Sequence, residues 1–353
     1  MSASTLPALL TEITTKLTYF YLIAIYFIGL FGNLINIIIF LRTQLRSNVC
    51  SQYFIALSLS QIILFNSLPL TRIITTLVNY DLGQTIASLC KIRSYLFIFS
   101  LALTRQFLCL ISIDRWIVTT RNTHIRSWSS IRIVRWLIIC STVFWLLFSI
   151  HILVGYQISP IRGCTQLVNS NYAFFFGIQF ALSSIIPFFI MLIFSILTLY
   201  NVRNRRRRVF DNTVSIPTET TVTIRSTVNH RRYEMQLIKL SLLQVLFYLF
   251  LSMLGTGFPL YSVLTSSYVK SPSQLAIDLF LNNLSLLLIY TYSAVGLSFL
   301  LWMKSFDFIL ASFLDHVYSL YVGIKNFSNR ISSSTFTIHQ IFTKIFLLQS
   351  LIN

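Results

Sequence analysis

An aspartate and an arginine stand side by side in the run Cys109-Leu110-Ile111-Ser112-Ile113-Asp114-Arg115-Trp116. They close a long, mostly apolar segment, Tyr95 to Ile117. Charge at the end of such a segment is costly unless it is paired or faces a water-filled crevice, so it marks function by default. The chemistry on offer is that of a switch, an ion pair that opens and frees the arginine. Arg105 lies nearer the middle of the same segment, where no snorkelling path is short, and the sequence names no partner for it. Cys90 marks the segment's other end. The 25 positions from Cys90 to Arg115 correspond to about 37 Å of helix, enough to cross a bilayer. Cys90 and Cys164 both lie at segment ends and are the natural disulfide pair, whereas Cys50, Cys109 and Cys140 lie within apolar segments and are expected only to pack there. The cysteines have no metal-ligand spacing. His151 lies in an apolar segment and His124, His230, His316 and His339 in loops or tail, so no histidine cluster forms. No metal or cofactor is expected, and a membrane enzyme, which would need such a cluster or paired carboxylates, is disfavoured.

The elements that carry these residues are membrane spans. The chain of 353 residues is 55% hydrophobic and only 10% charged, and its apolar residues come in long blocks. The net charge of +18 does not point to nucleic acid, because the basic residues fall between those blocks. With about 20 apolar residues needed per span, seven are expected: about Leu17 to Leu41, Cys50 to Val78, Lys91 to Thr119, Ile133 to Tyr156, Tyr172 to Tyr200, Met235 to Leu264 and Gln274 to Met303. The expected fold is therefore an all-α membrane protein, a seven-transmembrane helix bundle. Pro69 is expected to kink the second span. Residues 1–16 form a short polar-mixed N-terminus without a secretory signal, residues 17–303 the bundle, and 201–234 its longest loop, which is arginine-rich and then Thr/Ser-rich. Residues 304–320 mix apolar and polar types at helical spacing, as an amphipathic eighth helix on the membrane surface would. Residues 321–353 are the tail. The loops after spans one, three and five, with the tail, hold most of the Lys and Arg, which sets them in the cytoplasm and the N-terminus outside. Cys90 and Cys164 then face the oxidising side. No internal repeat is present, and Arg105 is the one clear midplane charge, which weakens a transporter reading.

In this order the motifs resemble the rhodopsin-like (class A) G protein-coupled receptors, over about Leu17 to Tyr318. The resemblance rests on Gly32-Asn33, Leu57-Ser58-Leu59-Ser60-Gln61, Cys90 with Asp114-Arg115-Trp116, Trp145, Cys164 and Pro187. The run Tyr200-Asn201-Val202-Arg203, leading into a basic loop, is similar to invertebrate neuropeptide (FMRFamide-like) receptors. The resemblance implies an extracellular ligand and a heterotrimeric G protein as partners, in the plasma membrane. It implies that a Cys90–Cys164 bond pins the second outer loop over the mouth of the bundle, the alternative being two free thiols. It also implies that Arg115 pairs with Asp114 at rest and swings toward the transducer on opening; the alternative is a snorkelling arginine. Glu234 matches the acidic residue that locks this arginine in some members, though a solvated loop glutamate has the same sequence. Asn33, Gln61, Trp145 and Pro187 are expected to pack the core. Arrestin is a further implied partner, through phosphorylation at Ser332, Ser333, Ser334 or Thr335.

The pattern also breaks. Gln61 stands where the family usually has an aspartate that holds sodium; it carries no charge, and Arg105 would repel the cation. Leu251-Ser252-Met253-Leu254 replaces the sixth-span Cys-Trp-x-Pro motif, and Val295-Gly296-Leu297-Ser298-Phe299 the seventh-span Asn-Pro-x-x-Tyr motif. A receptor-like protein that no longer signals is therefore a rival reading. No lysine lies inside the seventh span, so a retinal Schiff base is not expected, and Phe97 occupies the place of the aspartate that amine receptors use. Near the outer mouth remain Arg72, Arg93, Tyr95, Phe97, Gln179, Tyr261, Asn282 and Asn283. Aromatic faces with amides and arginine suit a peptide ligand. The same residues also fit an ordinary aromatic membrane interface, and Arg72 fits simple snorkelling.

Overall fold

The structure, a computed structural model, describes residues 5–78, 80, 82–159, 163–167, 171–212 and 270–295, and between these last two 238, 242–243, 245–251, 258, 261 and 265. Residues 7–298 form one compact unit. Glu234, the amphipathic segment 304–320, the tail 321–353 with Ser332 to Thr335, and most of the altered sixth- and seventh-span motifs lie outside the described residues.

The chain is an all-α membrane bundle. Among the described residues six helices are long and apolar enough to cross a membrane. They are the first (Thr5–Leu41), second (Val49–Val78), third (Ala87–Thr119), fourth (Ile131–Phe148, continued by His151–Gly155), fifth (Asn171–Asn212) and seventh (Pro272–Val295). Residues 245–251 are helical where the sixth span is expected, with Val245, Tyr248, Leu249 and Leu251 buried.

Several bounds differ from the hydropathy reading for physical reasons. The first helix starts at Thr5, well before the apolar block. Polar residues extend it through local bonds: Lys16 pairs with Glu12 one turn back at 2.7 Å, and the Thr11 and Thr15 hydroxyls donate to the carbonyls four residues earlier. The fifth helix likewise runs on through the arginine run to Asn212. Pro69 and Pro187 both lie inside helices. The second outer loop is not featureless: Tyr156–Ser159 (β1) and Gly163–Gln166 (β2) pair antiparallel, with Ile158 opposite Cys164.

Burial ranks the helices. The apolar stretch of the third is 83% buried, that of the fourth 11%. A helix apolar all round and enclosed is a central one, and one that keeps apolar residues outward faces lipid. The second and fifth helices pack most extensively on the third. Polar ties join the first helix to its neighbours: Tyr21 shares a hydrogen bond with Thr291 (2.8 Å), Asn33 Nδ2 donates to the Ser293 carbonyl (3.4 Å), and Tyr26 donates to Asn66 (3.2 Å). Gly29 allows the close approach of the first and second helices, since a Cβ there would stand 2.4 Å from the Phe65 ring.

Candidate functional site

The third helix carries polar groups at three depths. At its C-terminal end Arg115 Nη2 donates to Asp114 Oδ2 at 2.5 Å, and both side chains are 4% exposed. The other carboxylate oxygen accepts from the Ser129 hydroxyl at 2.7 Å. Ser129 follows a short helix, Thr123–Arg126, whose N-terminus is capped by Asn122 accepting from the His124 amide (2.9 Å). The loop after the third helix is thereby tied to the ion pair. Thr119 donates to the Arg115 carbonyl (2.9 Å) in the last turn, and the extended backbone at Thr120 ends the helix. Trp116 turns to the fifth helix and meets Phe194 edge-on at 5.3 Å. A charge pair this enclosed is weakly screened, and separating its members is costly.

At mid-depth Asn33 and Gln61 are both 1% exposed. Asn33 Nδ2 donates to the Gly29 carbonyl (2.8 Å), and Ser60 shares a hydrogen bond with Thr104 (3.1 Å), joining the second and third helices. Arg105 points to the fifth helix. Its Nη1 donates to the Ser183 hydroxyl at 3.2 Å and, at 3.5 Å, to the Ser183 carbonyl; its guanidinium lies 5.1 Å from the centre of the Phe180 ring. Cys109 Sγ reaches the Pro187 carbonyl at 3.7 Å. Trp145 is half-buried on the fourth helix and meets Phe144 and Phe148 edge-on.

At the N-terminal end of the third helix the Cys90–Cys164 disulfide is formed, with Cα atoms 5.6 Å apart. It fastens the middle of β2 to the first turn of the third helix. The eight mouth residues do not form one group. Phe97 is buried and meets Tyr290 edge-on at 6.1 Å, while Arg72 is half-buried on the second helix. Arg93 packs flat on Gly83, where a Cβ would be 2.1 Å from its guanidinium carbon. Tyr95 turns to the fourth helix, donating to the Leu146 carbonyl at 2.9 Å. Gln179 lines a narrow cavity beside Arg105. Tyr261 lies under Lys270 (5.1 Å), which also bonds Thr265 (2.8 Å) and Asp278 (2.5 Å). Asn282 is exposed and Asn283 half-buried.

Sequence reasoning missed Ser129, Ser183, Phe180 and Tyr290. Each acts on a residue far away in the chain, and a serine or aromatic in an apolar block gives no signal of its own. Among the described residues no three His, Cys, Asp or Glu side chains gather as metal ligands would.

Residues 32–296 match the 7 transmembrane receptor (rhodopsin family) profile. Over 177 residues the chain is 26% identical to human "Atypical chemokine receptor 4" (Homo sapiens), a stretch covering 48% of this chain and 49% of that one. The match thus spans about half the length of that curated relative. The profile extends over most of the compact unit and takes in the disulfide, the buried Asp114–Arg115 pair and the enclosed third helix. By fold and by sequence, then, the chain belongs to the rhodopsin family of seven-transmembrane G protein-coupled receptors.

Proposed function

We propose that this receptor sits in the plasma membrane with its N-terminus outside and couples an extracellular peptide to a heterotrimeric G protein. The observation that carries the proposal is the Asp114–Arg115 pair, enclosed and held through Ser129 to the following loop. A ligand acts by binding the open bundle better than the resting one, so it shifts a population rather than pushing a lever. Opening frees Arg115 toward the transducer, and Glu234 is a second restraint on it. The peptide assignment draws on three features. The mouth brings Phe97 against Tyr290 with Arg72 on the neighbouring helix; Tyr200-Asn201-Val202-Arg203 resembles the same run in neuropeptide receptors; and the human relative is by name an atypical chemokine receptor. Arrestin recruitment through the serines of the tail belongs to the same reading.

The test is basal and peptide-stimulated G protein activation in cells, for the wild-type chain beside Arg115→Ala, at matched surface amounts. A response that disappears or changes with Arg115 supports the proposal. Silence from both proteins across a peptide library would instead favour a receptor-like protein without signalling. Gln61 and the replaced sixth- and seventh-span motifs point in that second direction.

A further inference from the structure

We propose that the receptor binds a small inorganic anion, of which chloride is the abundant one, at Arg105 between the third and fifth helices. Arg105 carries a charge that no described acidic residue neutralises. Arg105 is 3% exposed. Among the described residues its partners are neutral: the hydroxyl and carbonyl of Ser183, the face of Phe180, and the nearby Tyr292 of the seventh helix. Its Nε donates to nothing. Arginine does not shed its proton in proteins, so the charge stays.

The chain has nine acidic residues, which are Glu12, Asp81, Asp114, Asp211, Glu219, Glu234, Asp278, Asp307 and Asp315. Only Asp114 and Asp278 fall within the spans from the second to the seventh, both near span ends and both occupied. Asp114 is held by Arg115 and Ser129, and its backbone stands nine residues along the helix from Arg105, about 14 Å away. Asp278 is held by Lys270 at the outer end of the seventh helix. The sixth span, Met235 to Leu264, contains no acidic residue. An uncompensated buried cation is among the costliest features a fold can carry, and a bound anion is the direct remedy.

The surroundings fit a small anion rather than a large one. A narrow cavity adjoins Arg105, lined by Trp145, Phe176, Gln179, Phe180 and Ser183, and its free space is about that of one water molecule. A single small ion, seated with a slight shift of the lining side chains, is the guest that suits so narrow a space. Gln179 Oε1 accepts no close hydrogen bond, and His151 of the fourth helix stands near its side chain, so the amide can turn and present its NH2 group to an anion beside Arg105 Nε. Ring edges, such as those of Trp145 and Phe176, carry partial positive charge and are tolerant neighbours for an anion.

The experiment uses the full chain in nanodiscs of zwitterionic lipid and reads the thermal melting midpoint. Chloride is raised at constant sodium and ionic strength by exchange against gluconate. A single site filled by mass action lifts the midpoint by a few degrees and then levels off. Bromide should replace chloride. Arg105→Gln, which keeps hydrogen-bond donors but not the charge, should melt at the same temperature in both salts. If Arg105→Gln does not fold, the wild-type anion series decides alone. Equal wild-type midpoints in chloride and gluconate, or a rise that never saturates, would overturn the proposal. So would an undiminished chloride response in Arg105→Gln, or stabilisation by oleate with none by chloride. The readout is stability, so it stands or falls independently of G protein coupling.

Discussion

Replacing Asp114 with asparagine removes the charge from a pair whose members are each 4% exposed, and leaves the shape almost unchanged. The asparagine carbonyl oxygen still accepts from Ser129, so the tie to the following loop survives. What disappears is the charge-assisted bond to Arg115. Hydrogen bonds to charged groups contribute about 1.5–3 kcal/mol, and at this burial little of that is lost to solvent screening. If the pair exists only in the resting bundle, about 2 kcal/mol is removed from that state alone, which moves the resting-to-active ratio roughly 30-fold. A receptor that is active about one time in a hundred would then be active about one time in four. The assay is ligand-free nucleotide exchange on purified G protein, with receptor amounts matched by surface labelling. Because taking the carboxylate from a buried arginine also weakens the fold, the melting midpoint is measured alongside. Basal exchange equal to wild type, in a variant that reaches the surface and melts cooperatively, would refute the latch. Ser129→Ala removes only a neutral donor and should raise basal exchange by less.

Breaking the disulfide with Cys90→Ser should cost stability. The bridge spans 74 positions, for which loop entropy gives about 4 kcal/mol. Spans held in the bilayer restrict the unfolded chain already, so the measured loss should be smaller, and thermal melting with and without reductant checks it. Gly29→Ala should destabilise by about 1–3 kcal/mol through overpacking on Phe65, and a Phe65→Ala background should recover most of the loss. Agonist affinity should be the same in sodium and in choline buffer, because Gln61 offers the cation no negative charge. A clear sodium-induced loss of affinity in a binding assay would contradict that account.

The spans were legible because burial in lipid demands runs of apolar residues of set length, and seven such blocks leave little freedom. Cys90 and Cys164 were legible because both fall at block ends on the same side of the membrane. The extension of the first helix to Thr5 was hidden, since hydropathy does not register a helix held by Glu12, Lys16 and threonine hydroxyls. The hairpin Tyr156 to Gln166 was hidden as well. Its two strands are short, and their pairing depends on the disulfide that fixes Cys164 from outside. Arg105 stood out at once as a charge in an apolar block, yet its contacts with Ser183 and Phe180 come from the facing helix and follow no spacing rule. For the mouth, composition suggested one set of eight residues. Side-chain direction divides them, sending Tyr95 to the Leu146 carbonyl and Arg93 onto Gly83.

The length of the first helix has a consequence for whatever approaches the mouth. Its 37 residues make a rod of about 55 Å, against about 30 Å of hydrocarbon. Even a steep tilt of about 40° projects some 42 Å onto the membrane normal, so at least about 12 Å of rod must stand clear. Arg42 follows its C-terminal end directly, so the surplus emerges at the other, beside the Glu12–Lys16 pair. The residues before the apolar block are therefore a stiff post, not a trailing thread. A ligand reaching the bundle from that side meets a fixed wall of two to three helical turns, and its choice of approach is narrowed before it touches the pocket.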